Sequence, residues 1–201
     1  MAKAKQFHHG DLKRALLDAA LELLDEQGDS GVGIRAVARN AGVSHAAPVN
    51  HFRDRRALLT GLAVTLFDDI QADISKRLER ASDDPVARIE SVVRCFFEYG
   101  ANHPHRYALL WRNDVVDHEC DEMRTREDAV YDHICDEIDR LVAGRNIDKH
   151  TVAIGLWSMM HGYIDLKIVG MFEDRADSTT GEDRPEALLK MFRTIFDHYG
   201  L

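Results

Sequence analysis

The chain has 201 residues, 45% hydrophobic and 30% charged, the balance of a globular protein with a sizeable core. Three scattered cysteines (Cys95, Cys120, Cys135) exclude a disulfide framework and point to a reducing cytoplasm, while four prolines and an apolar period near 3.6 predict an all-α fold. The net charge of −9 is uneven: residues 1–60 carry nine Lys and Arg against seven Asp and Glu, the remainder 17 against 28, so only the first part suits a polyanionic partner.

Met1 to Phe7 has no apolar core, so no signal peptide is expected, and no stretch is apolar enough to span a bilayer. Lys3, Lys5, His8 and His9 form a short polar arm, either a DNA-reaching arm or a plain terminus. Gly10-Asp11 opens a helix with the stripe Leu12, Leu16, Ala19, Ala20, Leu23 and Leu24, ended by Gly28. After a loop over 29–33, Ile34, Val37, Ala38 and Ala41 give a short helix one apolar face. Gly42 ends it by adopting positive φ, and Ser44 is placed to cap a second helix running toward Phe52. Helix, Gly-containing turn, helix is the geometry of a DNA-reading helix-turn-helix, and equally of an ordinary helical hairpin.

Asp54 caps a helix predicted over Arg55–Arg80, with Leu58, Leu62, Leu66, Ile70, Ile74 and Leu78 every four residues. Arg55 and Arg56 then sit at the end where the helix dipole disfavours cations, which suggests a phosphate contact for Arg55 and leaves Arg56 open. Asp84-Pro85 starts a further helix with Ile89, Val92, Val93, Phe96 and Phe97 inward, ending near Pro104. A short piece over 106–112 precedes a long helix predicted from Val116 to Ala143. Residues 152–164 are apolar nearly all round and need cover on every side. A polar loop over 173–185 leads to a last helix with two apolar faces, Leu188, Met191, Phe192 and Ile195 on one and Leu189, Phe196 and Tyr199 on the other. Two such faces predict contact with a second copy.

The segment from His8-His9-Gly10-Asp11-Leu12 through Leu59 resembles the DNA-binding domain of TetR/AcrR-type transcriptional regulators. The carrying pieces are Ala38-x-x-x-Gly42-Val43-Ser44, His51-Phe52 and Asp54-Arg55-x-x-Leu58. Trp157-Ser-Met-Met-His161-Gly162 resembles the Trp…His-Gly signature of one C-terminal subgroup. The resemblance implies a DNA-binding domain over 1–55 with its arm, a helical ligand-binding and dimerisation domain over 56–201, and about nine helices. It also implies a homodimer through the last two helices, with recognition helices about 34–36 Å apart on double-stranded operator DNA. Ser44 would touch a phosphate, His45, Ala46, Ala47 and Asn50 would face base edges, and Arg55 replaces the family's usual phosphate-binding Lys. Lys13, Gly33, Arg35 and His51 complete the implied contacts. The usual Tyr is replaced by Val49, which has no donor.

The body is expected to enclose a mostly apolar pocket for a small apolar or aromatic effector, with candidates Phe96, Tyr99, Tyr107, Trp111, Tyr131, Ile134, Trp157, Met160, His161 and Ile164. Each is equally a core residue by type, and His161 four residues from Trp157 is the sharpest case. The implied function is a repressor released by that effector. A DNA-binding protein of the same fold with a non-transcriptional role is the alternative. A metal or redox sensor is disfavoured, because the His/Cys pairs 118/120 and 133/135 are two apart and diverge on a helix. No nucleophile motif, phosphate loop or catalytic carboxylate pair is present, so neither an enzyme nor a cofactor is implied.

Overall fold

The computed structural model describes residues 9–172 and 175–198; the arm residues Lys3, Lys5 and His8, and Tyr199, lie outside them. Among the described residues eight α-helices follow one another: α1 (His9–Gln27), α2 (Ile34–Asn40), α3 (Arg55–Arg80), α4 (Pro85–Asn102), α5 (Pro104–Leu110), α6 (Asp121–Val142), α7 (Lys149–Ile168) and α8 (Arg184–His198). Two single 3₁₀ turns, Asp29–Gly31 and Pro48–Asn50, complete the regular structure, and no strand occurs among the described residues. No described helix is long and apolar enough to cross a membrane.

The chain divides into two compact units, and the division does not fall at residue 55. The first unit takes residues through Asp69 and adds His103–Glu127; the second is Ile70–Asn102 with the chain from Asp128 onward. The cause is visible in α5, which packs against α1. Arg106 grips Asp25 with two bonds of 2.7 and 2.6 Å, and Trp111 meets Phe67 edge-on at 5.8 Å. α3 therefore supplies its first half to one unit and its second half to the other.

In the first unit, α1 buries Leu16, Ala20 and Leu24 completely, against α2. Asn40 at the end of α2 ties back to α1 through the Ala19 carbonyl at 3.3 Å and Glu22 at 2.7 Å. The long helix expected from Val116 begins only at Asp121. Residues 112–120 are turn because α3 holds their backbone: the Thr60 hydroxyl accepts the Asp117 N–H at 2.9 Å, and Arg56 donates to the Val116 carbonyl at 3.1 Å. These side chains replace the intrahelical partners that the segment would otherwise need.

In the second unit α4 packs between α7 and α8 contacts, with Val92, Phe96, Met160 and Ile164 buried. A side chain at Gly100 would collide with Ile164, so the glycine sets how closely α7 approaches. Glu137 is buried yet satisfied, held by Arg88 at 2.8 Å and Arg140 at 2.9 Å. Asp148, which sequence reasoning passed over, caps α7 by accepting the backbone N–H groups of His150 and Thr151.

Candidate functional site

The turn after α2 is built as expected. Gly42 has φ +68°, the Val43 N–H donates to the Ala38 carbonyl at 3.0 Å, and Gly42 N–H to Arg39 at 3.2 Å. This is the paired bonding that closes a helix through a left-handed glycine. The segment beyond the turn differs from the expected helix. Residues 45–47 form a turn and only Pro48–Asn50 a 3₁₀ turn. Pro48 has no N–H to return to the Ser44 carbonyl, which instead accepts from Ala47 at 3.0 Å. No side chain caps this turn, so Ser44 does not act as the expected cap.

The geometry sorts the implied DNA contacts. Ser44, His45, Ala46 and Asn50 are exposed, while Ala47 is half-buried and Pro48 and Phe52 are buried as anchors beneath them. Val49 is 58% exposed, an apolar side chain on the outer surface where the family carries a tyrosine. Arg35 and Lys13 are exposed on α2 and α1, and Gly33 precedes α2 with extended backbone. His51 is half-buried and borders a recess of about 330 Å³ with Lys13, Arg53, Arg56 and Asp117.

Arg55 is corrected. Its Nε donates to the Val32 carbonyl at 2.8 Å, and its Nη2 donates to the Asp29 carbonyl and lies 3.2 Å from Asp29 Oδ2. The cation misplaced by the helix dipole is thus answered by an aspartate 26 residues earlier, not by a free phosphate-binding posture. Asp29 also receives Arg112 at 3.2 Å, and Arg112 grips Asp114 with two bonds of 2.7 Å. The Arg112 guanidinium holds the Asp114 carboxyl at about 2, far below its ordinary value. Asp54 performs its predicted task, accepting the Ala57 N–H at 2.7 Å at the start of α3.

The ten implied effector residues are divided between the units. Tyr107 is buried in the first unit and, with half-buried Trp111, packs at a centroid distance of 6.0 Å. In the second unit Phe96 meets Trp157 at 5.5 Å, Trp157 meets His161 at 4.7 Å, and Tyr131 meets Trp157 at 6.2 Å. Ile134, Met160 and Ile164 are buried around them, and Tyr99 is half-buried on α4. Burial keeps His161 neutral, its pKa lowered to about 4. A cavity of about 590 Å³ lies elsewhere in this unit, and none of the ten lines it. Its walls come from Arg94, Phe97 and Glu98 of α4, Tyr163 and Lys167 of α7, and the approach to α8. Sequence reasoning missed it because its charged residues have no shared period.

For the sensor alternative, no group of three His, Cys, Asp or Glu among the described residues is placed to hold a metal. Burial and the adjacent Asp73 carboxylate push the Cys95 thiol up to about 12, so it stays protonated and unreactive.

Residues 16–62 match the family described as bacterial regulatory proteins, tetR family, and residues 89–192 match the tetracyclin repressor-like C-terminal domain, over half the chain. The chain belongs to the TetR family. Among curated relatives, the HTH-type transcriptional regulator BetI of Burkholderia mallei is 34% identical over 89 residues, 44% of this chain and 46% of that protein. The HTH-type transcriptional regulator Mb1846 of Mycobacterium bovis is 32% identical over 109 residues, 52% of this chain and 44% of that protein. The chain thus aligns with less than half the length of these relatives. Among solved structures, a protein of unknown function from Rhodococcus sp. RHA1 superposes with TM-score 0.79 at 28% identity, covering 96% of each chain. The TetR family regulator PfmR from Thermus thermophilus shares the fold, with TM-score 0.62 at 17% identity over 90% of this chain and 96% of that one. TetR-family proteins are DNA-binding transcriptional regulators, and the match to the family's N-terminal model, residues 16–62, lies in the first unit.

Proposed function

We propose that this TetR-family chain is a cytoplasmic repressor that occupies a palindromic operator as a homodimer and is released by a small-molecule effector. The observation that carries it is the exposed turn Ser44–Asn50, fixed from below by buried Pro48 and Phe52 and from behind by Gly42. His45 and Asn50 supply the polar readout of base edges, Ala46 a close approach or a thymine methyl, and Lys13 and Arg35 the backbone contacts.

Dimerisation uses α7 and α8. Ile154, Leu166 and Val169 are exposed on or just after α7, and Met191 and Ile195 on α8. Gly155, Ser158 and Gly162 share the open side of α7, where small residues let a second helix approach closely. The effector occupies the 590 Å³ cavity, a volume in the usual range for ligand sites. Phe97 and Tyr163, edge-on at 5.4 Å, give it an apolar wall, so the effector pairs an apolar part with a polar group. Operator and effector then weaken each other reciprocally.

Retention of genomic fragments tests the reading: selective capture of the DNA upstream of the protein's own gene is expected. Operator affinity unchanged across a broad effector panel would refute induction. A monomer by sedimentation equilibrium would refute the α7–α8 interface.

A further inference from the structure

With Arg55 bound inward to Asp29 and Val32, and no hydroxyl at Val49, the two phosphate contacts that the TetR resemblance implies near the start of α3 are both missing. We infer that Arg53, with Lys13, is the seat for a backbone phosphodiester of the bound DNA. The inference rests on the DNA-binding reading and adds the group that grips the backbone.

Three observations carry it. Arg53 is 78% exposed, the most open of the three arginines at the start of α3; Arg55 is 37% and Arg56 49% exposed. Among the described residues its one ion pair is with Asp54 at 3.3 Å, itself half-exposed, and such an exposed pair is worth about 0–1 kcal/mol and yields readily to a phosphate. Asp54 uses its other oxygen, Oδ1, to cap α3, so releasing Arg53 does not loosen the helix.

Second, the backbone at 53 is held. Phe52 immediately before it is buried, and its N–H donates to the Pro48 carbonyl at 2.8 Å. The guanidinium therefore projects from a fixed point one residue beyond the reading turn. Third, Arg53 and Lys13 border the same recess as His51, although Lys13 comes from α1, 40 residues earlier. Lys13 has no ion pair among the described residues. Arg56 borders that recess too, but is directed to the Val116 carbonyl and Asp117, which lies 3.8 Å away. Asp117 and Glu122 line the recess as well, so an anion is accepted at the rim beside Arg53 and Lys13 rather than inside.

The test is the salt dependence of binding to a mixed-sequence DNA duplex long enough for two half-sites, since phosphate contacts carry no sequence information. Each lost contact lowers the slope of log K against log salt by about 0.9. Arg53→Ala is expected to lower it by that much per subunit and Arg53→Lys to restore it, with unchanged thermal midpoint. Arg55→Gln is expected to lower the thermal midpoint and leave the slope. An unchanged slope in Arg53→Ala, or a slope lost only in Arg55→Gln, overturns the assignment. Inorganic phosphate added at matched ionic strength is expected to displace the duplex no better than chloride. Selective displacement that vanishes in Arg53→Ala would assign the seat to free phosphate and overturn the DNA contact. A wild-type protein that binds neither this duplex nor its own upstream DNA would instead overturn the DNA-binding reading.

Discussion

The two units share the same kinds of contact but differ in the helices that those contacts must fix. In the first, short elements are joined by charged and polar groups reaching across sequence: Asp25 to Arg106, Asp29 to Arg55 and Arg112, and Thr60 to the Asp117 backbone. The second has such bonds too, Arg193 to Glu90 and Arg88 to Glu137, and adds an aromatic cluster, with Phe96, Trp157 and His161 in mutual contact beside a close α4–α7 approach. A seven-residue helix such as α2 buries only Val37 and Ala38, too little apolar surface to fix its own position. The bonds of Asn40 to α1, and of Arg55 to Asp29 and Val32 just before α2, supply what this short helix lacks. A short helix is thus positioned by point contacts at its ends, whereas the long helices of the second unit are positioned along their length by packed side chains as well.

The contrast is most easily broken in the second unit. Phe96→Ala removes a wholly buried ring and is expected to cost about 3–5 kcal/mol in urea unfolding. If Phe52→Ala in the first unit costs as much while loss of Asp29 costs nothing, both units rest on packing and the distinction fails. A smaller effect separates the units by pH. His161 is kept neutral by burial, its pKa lowered to about 4, whereas in the unfolded chain it binds a proton near 6.5. Its contribution is complete above pH 6.5 and is lost as pH falls toward 4, because there the unfolded state takes up the proton first. Between pH 7 and pH 5 the loss is about 2 kcal/mol. His161→Phe should abolish that part of the acid sensitivity, and a variant as acid-sensitive as the wild type would remove His161 as its source.

The same contrast explains which features were legible in the sequence. Caps and breaks are local, so Gly28, Gly42, Asp54 and Pro85 placed the ends of α1, α2, α3 and α4 to within a residue or two. The start of α6 was not legible, because the bonds that keep 112–120 out of helix come from Arg56 and Thr60, some 60 residues away. Arg55 failed for the same reason: a cation at a helix N-terminus looks functional until its partner 26 residues earlier is seen. The second helix expected to run toward Phe52 is reduced to a single 3₁₀ turn, because Pro48 lacks the N–H that a helix begun at Ser44 would need. The aromatic residues read as one pocket, yet Tyr107 and Trp111 belong to the other unit. The apolar surplus of the last two helices was legible as surplus, and the exposure of Ile154, Met191 and Ile195 is where it resides.

Removing the hub of the first unit gives the next effect in size. Asp29→Ala leaves Arg55 and Arg112 without their shared carboxylate and is expected to cost about 1–2 kcal/mol, discounted because Asp29 is a quarter exposed. DNA affinity should fall by more than the change in folded population explains, since α2 directly follows the Asp29–Gly31 turn and carries the reading turn at its far end. Affinity that tracks folded fraction alone would make Asp29 a stabilising residue and nothing more.

The finest discrimination concerns Gly42. A Cβ there meets nothing within 4 Å, so the only cost of Gly42→Ala is the left-handed backbone at φ +68°, about 1 kcal/mol. Asn tolerates that conformation better than Ala, because its short polar side chain bonds locally. Gly42→Asn should therefore retain more stability than Gly42→Ala although its side chain is larger. The reverse order in thermal unfolding would mean that space, not backbone conformation, governs the turn. Since the bonds from Gly42 and Val43 to Arg39 and Ala38 aim the chain into Ser44–Asn50, the more stable variant should also bind DNA more tightly.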